Sequence, residues 1–180
     1  MRVKTVFLMV GFCAMSALSS SAMAQLWAKN CAVDKCLDGT TGNVNGMVQV
    51  SECDKNKTAQ QWHQNSPWGQ GLQNAYEGFG NPCLDMNAET SVVTNQCDGW
   101  TQAQKWKFAN NGHVGPLKNL YWPNGEATQC AVVENNDTVI AAECDGSRAQ
   151  DWYWVNVGDD TSCPENGDSR MRLPTMKLPN

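Results

Sequence analysis

The tripeptide Gln60-Gln61-Trp62 returns as Gln104-Lys105-Trp106 and again as Gln150-Asp151-Trp152, with the tryptophans 44 and 46 residues apart. Self-similarity at a near-constant period decides the architecture before any local assignment does. Around each Gln-x-Trp the same frame recurs. One cysteine lies upstream, at Cys36, Cys83 and Cys130, and a second follows at Cys53, Cys97 and Cys144. Five residues before each second cysteine stands a valine, Val48, Val92 and Val139. A lone Gln-x-Trp is an ordinary buried tryptophan beside a polar neighbour. Three of them, each behind a matched cysteine pair, define a threefold repeat.

Residues 1–24 read as a secretory signal. Arg2 and Lys4 make a basic start, Thr5 to Leu18 is a mostly apolar run of 14 residues, and Ala22-Met23-Ala24 supplies a small-x-small cleavage pattern. The run is shorter than the roughly 20 residues that a membrane-spanning helix needs. The bulky Phe12 before Cys13 argues against a lipid-anchor site there. A mature chain starting at Gln25 has 156 residues, enough to bury one real core. It keeps 11 basic against 18 acidic residues, a net charge of −7 that repels phosphate backbones and argues against a nucleic-acid partner. No other apolar stretch approaches membrane length, so membrane insertion is not expected, and the expected location is periplasmic or extracellular.

Eight cysteines remain without Cys13, an even number in an exported chain, which points to disulfides. The repeat selects among the pairings, since each copy owns two: Cys36–Cys53, Cys83–Cys97 and Cys130–Cys144. Cys31 and Cys163 are left, one before the first copy and one after the last. Their pairing would tie the ends of the domain together and stabilise it by roughly 4–5 kcal/mol in the chain-entropy account. The spacings lack the C-x₂-C pattern of zinc sites, and no metal or cofactor is expected.

Copy one covers about residues 26–68, copy two 70–112 and copy three 115–157. Met47-Val48-Gln49-Val50-Ser51 alternates apolar with polar, as a half-buried strand does, with Ser91–Thr94 and Thr138–Ala142 as its equivalents. Gly39, Gly42 and Gly46 read as a turn-rich connection before the first of these. Leu72-Gln73-Asn74-Ala75-Tyr76 is echoed by Leu117-Lys118-Asn119-Leu120-Tyr121. Asn45-Gly46, Asp98-Gly99, Asn111-Gly112, Asn124-Gly125 and Asp145-Gly146 supply turns between short strands. The expectation is an all-β, barrel-like fold with minimal helix. On a strand, positions i and i+2 share a face, so Gln-x-Trp sends glutamine and tryptophan the same way. Trp62, Trp106 and Trp152 would fill a shared core, each contributing about 3 kcal/mol or more. Gln60, Gln104 and Gln150 would satisfy backbone groups of the adjoining turn, a structural role.

This pattern resembles the ricin-B-type β-trefoil lectins, whose hallmark is three Cys…Cys…Gln-x-Trp copies. The resemblance spans about Asn30 to Trp154. It implies a single β-trefoil of three four-stranded units, with a six-stranded barrel and three capping hairpins, occupying residues 25–163. It also implies carbohydrate binding, commonly as the cell-binding part of a toxin or beside an enzyme. The family's sugar site uses an aspartate two residues after the first cysteine, matched here by Asp38 and Asp85 and replaced in copy three by Val132. Its aromatic platform, two residues before the second cysteine, is replaced by Ser51, Asn95 and Ala142. A polar residue four before that cysteine is matched by Gln49. The asparagine just before Gln-x-Trp is replaced by Ala59, Ala103 and Ala149. The ordinary alternative for Asp38 and Asp85 is a carboxylate that caps a turn.

Five tryptophans lie outside the frame: Trp27, Trp68, Trp100, Trp122 and Trp154, with Tyr76, Phe79 and Tyr121 near them in sequence. Most would close the barrel ends. Trp100, after the Asp98-Gly99 turn, and Trp68, between Pro67 and Gly69, are the ones expected at the surface, where exposed aromatics mark a glycan or protein interface. The candidate ligand-binding residues are therefore Asp38, Gln49, Asp85, Asn95, Trp68 and Trp100. Residues 164–180, with Pro164, Pro174 and Pro179, read as an extended tail. Such a tail and an aromatic surface look like the trefoil subunits of cytolethal distending toxins, which flank a nuclease subunit.

No enzyme is expected. His63 and His113 do not recur at equivalent positions, the mature cysteines are committed to disulfides, Asp159-Asp160 reads as a solvated loop, and no phosphate loop appears. Asn56-Lys57-Thr58 and Asn136-Asp137-Thr138 are glycan acceptor sequons, meaningful only in a eukaryotic secretory pathway. Two readings remain open: a secreted module that recognises a glycan or glycoprotein, with a toxin's delivery subunit as its special case, and a non-lectin protein-interaction module such as a protease inhibitor or docking subunit.

Overall fold

In the computed structural model the described residues are 25–39, 46–64, 71–76, 80–87, 90–108, 114–121, 129–159 and 162–163. The expected leader 1–24, the tail 164–180, and Trp68, Phe79, His113 and Trp122 lie outside them. The described residues form thirteen short strands and three single turns of 3-10 helix, with no α-helix among them.

The strands fall into three sets of four. Copy one has β1 (Leu26–Asn30), β2 (Lys35–Asp38), β4 (Gln49–Ser51) and β5 (Trp62–Gln64), with the short β3 (Gly46–Met47) leading into β4. Copy two has β6 (Leu72–Asn74), β7 (Cys83–Met86), β8 (Val92–Asn95) and β9 (Trp106–Phe108). Copy three has β10 (Gly115–Asn119), β11 (Gln129–Val133), β12 (Val139–Glu143) and β13 (Asp151–Asn156). The middle two strands of each set pair as a hairpin: β2 with β4, β7 with β8, β11 with β12. A disulfide joins the two arms near the open end of each, Cys36–Cys53, Cys83–Cys97 and Cys130–Cys144. Cys31–Cys163 joins the two ends of the domain across 132 residues.

The outer strands build the barrel. They pair in the order β6-β5-β1-β13-β10-β9, every pairing antiparallel. The last strand of each copy therefore pairs with the first strand of the next: β5 with β6, β9 with β10, and β13 back with β1. That cyclic exchange makes the chain a β-trefoil. Among the described residues no hydrogen-bonded pairing joins β9 to β6, and Leu72 and Phe108 from those strands lie in one core cluster.

The three valines of the repeat meet at the pseudo-threefold axis. The Val48 N–H donates to the Val92 carbonyl at 3.0 Å, and the Val139 N–H to the Val48 carbonyl at 3.1 Å. One step away, the Val50 N–H donates to the Asp137 carbonyl and the Ala141 N–H to the Thr90 carbonyl, while Gly46 pairs with Thr94. This explains two departures from the sequence reading. The expected strand 47–51 is interrupted at Val48, because that residue's backbone bonds to the neighbouring copies. Gly46, read as turn, opens β3 for the same reason. The alternation itself holds, with Val48 and Val50 buried and Met47 and Gln49 exposed.

The core collects Trp62, Trp106 and Trp152 with Leu37, Leu84 and Leu117. Two of the indoles use their polar edge within it. Trp62 Nε1 donates to the Leu37 carbonyl and Trp152 Nε1 to the Ala131 carbonyl, each at 2.9 Å. Trp154 packs on Phe108 with ring centroids 4.6 Å apart. A second cluster of Trp27, Tyr153 and Val155 surrounds the Cys31–Cys163 bridge, and burial there pushes the Tyr153 hydroxyl well above the ordinary tyrosine range. Trp27 and Trp154 thus close the barrel and are absent from the surface.

Candidate functional site

Each copy aims its loops through the buried glutamine of Gln-x-Trp. Gln60 Oε1 accepts from the Asp54 N–H at 2.7 Å while its Nε2 donates to the Glu52 carbonyl at 2.8 Å, so one side chain brackets Cys53. Gln104 does the same to Asp98 and Gln96 around Cys97, and Gln150 to Asp145 and Glu143 around Cys144. The glutamine does not lie on the strand, as the i, i+2 argument supposed. It ends a 3-10 turn, Thr58–Gln60, Gln102–Gln104 or Arg148–Gln150, from which it can reach back toward the hairpin. The aspartate after each second cysteine then forms a tight side-chain turn. Asp54, Asp98 and Asp145 accept from the N–H of Asn56, Trp100 and Ser147.

A second clamp went unread in the sequence. Asn30, Asn74 and Asn119 each donate from Nδ2 to the carbonyl of the alanine before Gln-x-Trp in the preceding copy: Ala149, Ala59 and Ala103. Their Oδ1 atoms accept from the N–H two residues on, at Ala32, Tyr76 and Tyr121. The signal was partly visible, since Asn74 and Asn119 belong to the Leu-x-Asn-x-Tyr echo. Asn30 was hidden because Ala28 and Ala32 replace the leucine and tyrosine. This clamp fixes where Tyr121 leaves the barrel.

The conserved frame carries three different fillings at the acid position. In copy one, Asp38 is fully buried and its Oδ2 accepts from the Ser51 hydroxyl, the Lys57 ammonium and, at 3.4 Å, Gln60 Nε2. Gln49, its partner across the hairpin, is exposed and also bridges to Thr138. In copy three the position holds the half-buried Val132. In copy two, Asp85 is only 5% exposed and accepts from Gln104 Nε2 at 3.0 Å and from the Met86 N–H at 2.7 Å. Among the described residues ion pairs join Lys29 to Asp34, Lys35 to Asp137 and Lys57 to Asp38, and none reaches Asp85. Counting back five from the tryptophan, Lys57 in copy one stands where Thr101 stands in copy two. That position, with Ser51 in copy one and Asn95 in copy two, separates a filled acid from an open one.

Asp85 consequently faces space. A cleft of about 490 Å³ runs between the end of β8 and the following loop, lined by Asp85, Asn95, Asp98, Trp100, Thr101 and Gln104 among others. Trp100 stands over it 91% exposed, held by its N–H bond to Asp98, whose other oxygen accepts from the Thr101 hydroxyl at 2.9 Å. A second cleft of about 300 Å³ shares Asp85, Asn95 and Thr101 and adds Met86, Val93 and the 51%-exposed Tyr121. Of the candidates named from sequence, Asp85, Asn95 and Trp100 come together here. Asp38 and Gln49 lie in a different copy, and Trp68 is outside the described residues. Tyr121 and Thr101 join the group without having been named as ligand-binding residues. Each carboxylate oxygen of Asp85 that already accepts one bond has a second lone pair to offer.

No protein-family model matches the sequence, and no curated protein matches it. Solved structures do. The β-trefoil lectin of the Vibrio vulnificus hemolysin/cytolysin, with N-acetyl-D-lactosamine bound, superposes with a TM-score of 0.60 at 20% identity, covering 76% of this chain and 97% of that one. The C-half of an earthworm R-type lectin in complex with GalNAc gives 0.59 at 13% identity, over 74% and 98%. The hemolytic lectin CEL-III gives 0.56 at 23% identity, over 73% of this chain and 31% of its own. The chain likewise spans only 22% of GalNAc-T7, solved with UDP, GalNAc and Mn2+, with a TM-score of 0.57 at 18% identity. Lectins recur among these matches, and at such identities what the chain shares with them is the β-trefoil fold.

Proposed function

We propose that this protein is an exported carbohydrate-binding module that recognises cell-surface glycans through the cleft of copy two. The observation that carries this is the convergence of Asp85, a buried carboxylate that no ion pair reaches among the described residues, with Asn95 and the exposed Trp100 around one open cleft. A sugar needs those two chemistries together: acceptors and donors for its hydroxyls, and a flat apolar face for its ring carbons. The neighbouring folds support the reading, since several were solved with a sugar bound. Four disulfides fit an oxidising compartment outside the cytosol. A glycan array and cell-binding assay on the mature chain, with Trp100→Ala alongside, tests it. Binding by the wild type that Trp100→Ala weakens about tenfold supports the proposal, and no binding to any glycan or cell refutes it.

The finer reading is that the module delivers a toxin. It is supported by the appearance of trefoils in a hemolysin/cytolysin, a hemolytic lectin and a mosquitocidal holotoxin among the similar folds. A stoichiometric partner co-purifying with the full chain, with residues 164–180 required, is its expected signature. A partner retained while no glycan is bound would favour a docking subunit that is not a lectin.

A further inference from the structure

The two clefts beside Asp85 adjoin one another. They share Asp85, Asn95 and Thr101, and their outer walls carry two exposed aromatics from different copies. Trp100 comes from the loop after Cys97. Tyr121 follows β10 of copy three and is set by Asn119, which ties that strand's end to the Ala103 carbonyl beside Gln104. The copy boundary is therefore part of the site. The first cleft is lined by polar groups, while Met86 and Val93 make the second more apolar. Both carry Asp85, and the first adds Asp98; among the described residues lining either cleft there is no lysine, arginine or histidine.

Resting on the sugar reading above, we infer that copy two binds an uncharged glycan of at least two rings, one on each side of Thr101, with Tyr121 of the next copy as the second platform, and that it rejects sialylated glycans. A single ring occupies the Trp100 side and leaves Tyr121 unused. A second ring adds an aromatic contact, which corresponds to about a fivefold gain in affinity. A sialic acid carboxylate brought beside Asp85 and Asp98, with no cation to meet it, suffers like-charge repulsion worth more than about tenfold. The same repeat position supplies Tyr76 beside copy one, but Lys57 fills the acid there, so the two-platform arrangement is complete only in copy two.

The test is titration calorimetry on the mature, disulfide-intact chain with GalNAc, lactose, N-acetyllactosamine and 6′-sialyllactose, on wild type, Trp100→Ala and Tyr121→Ala. The expected result is that the neutral disaccharides bind about fivefold tighter than GalNAc and that 6′-sialyllactose binds at least about tenfold more weakly than lactose. Tyr121→Ala should erase the disaccharide advantage while leaving the GalNAc affinity intact, and Trp100→Ala should weaken all of them. Equal affinity for one and two rings, indifference to Tyr121→Ala, or undiminished binding of 6′-sialyllactose overturns this inference and leaves the sugar reading standing. Failure of the wild type to bind any of the four overturns the inference for these sugars, and failure on the glycan array overturns the sugar reading with it.

Discussion

Copies one and two place the same aspartate at the same step of the same hairpin, and only one of them leaves it available. In copy one Lys57 reaches across the loop and seats its ammonium on Asp38, with Ser51 adding a hydroxyl. In copy two Thr101 stands in the lysine's place, turns its hydroxyl to Asp98, and leaves Asp85 facing a cleft. The residue before it differs as well: Asn56 in one, the projecting Trp100 in the other. A motif aspartate is thus held in a structural ion pair or left facing a cleft according to what stands five residues before the tryptophan and two before the second cysteine. The acid alone does not decide.

The contrast breaks most sharply at the acids themselves. Asp85→Asn should lower glycan affinity by about ten- to a hundredfold, the worth of a charge-assisted hydrogen bond, as read by calorimetry. Asp38→Asn should leave that affinity unchanged. It should instead cost about 1–3 kcal/mol of stability in chemical denaturation, because it strips the network of Ser51, Lys57 and Gln60 of its charged acceptor. If Asp38→Asn weakened binding as much as Asp85→Asn, the two copies would be equivalent and the comparison would fail.

Lys57→Thr should sharpen it next. Removing the lysine strands a buried carboxylate, which should cost about 1–2 kcal/mol of stability, less than for a fully buried pair because Lys57 is 39% exposed. The opened pocket still lacks a platform, so Lys57→Thr combined with Asn56→Trp should raise the binding stoichiometry from one to two. A stoichiometry that stays at one would show that Asp38 is set too deep to be a ligand group even when uncovered. Trp100→Ala, by contrast, should reduce affinity about tenfold with a stability change within about 0.5 kcal/mol, since the ring is exposed and supports nothing beneath it.

The fold was legible because a repeat constrains itself. Matching Cys36, Cys83 and Cys130 against Cys53, Cys97 and Cys144 gave three disulfides, and Cys31 and Cys163, left outside the copies, gave the fourth. The three tryptophans were legible as core, whereas the valines were legible only as being in register, and their meeting at the axis depends on backbone bonds between copies. The parts that were not legible depend on how a side chain bends back through space. That Gln60 ends a 3-10 turn and brackets Cys53 cannot be read from a two-residue periodicity. That Asn30 closes the ring onto Ala149 is 119 residues away in sequence. The candidate cleft was half legible: Asp85, Asn95 and Trp100, named from residue type and neighbours, line it together. Tyr121 belongs to the next copy and enters the groove only through the cyclic pairing of β9 with β10. The Lys57–Thr101 difference was present in the aligned repeats all along, but it acquires meaning only when the lysine is seen on the acid.

The third copy supplies the smallest effect and a control. It has Val132 for the acid, and the expectation is that its remaining carboxylates act on stability. Asp145 is held below the ordinary carboxylate range by its hydrogen bonds with Ser147, so its contribution is present above that range and is lost as pH falls through it. Asp151, beside Trp152, is shifted the other way. Desolvation raises it, with Arg148 only partly opposing. A raised carboxyl penalises the folded state once it ionises, so the penalty is absent in acid and complete above the shifted value. Asp151→Asn should therefore stabilise the protein at neutral pH by less than about 0.5 kcal/mol and by nothing at low pH, with glycan affinity unaltered throughout. Denaturation curves at the two pH values read this directly. A gain that persisted in acid would mean that the asparagine acts through packing on Trp152 and not through charge. A change in affinity would mean that copy three takes part in binding after all.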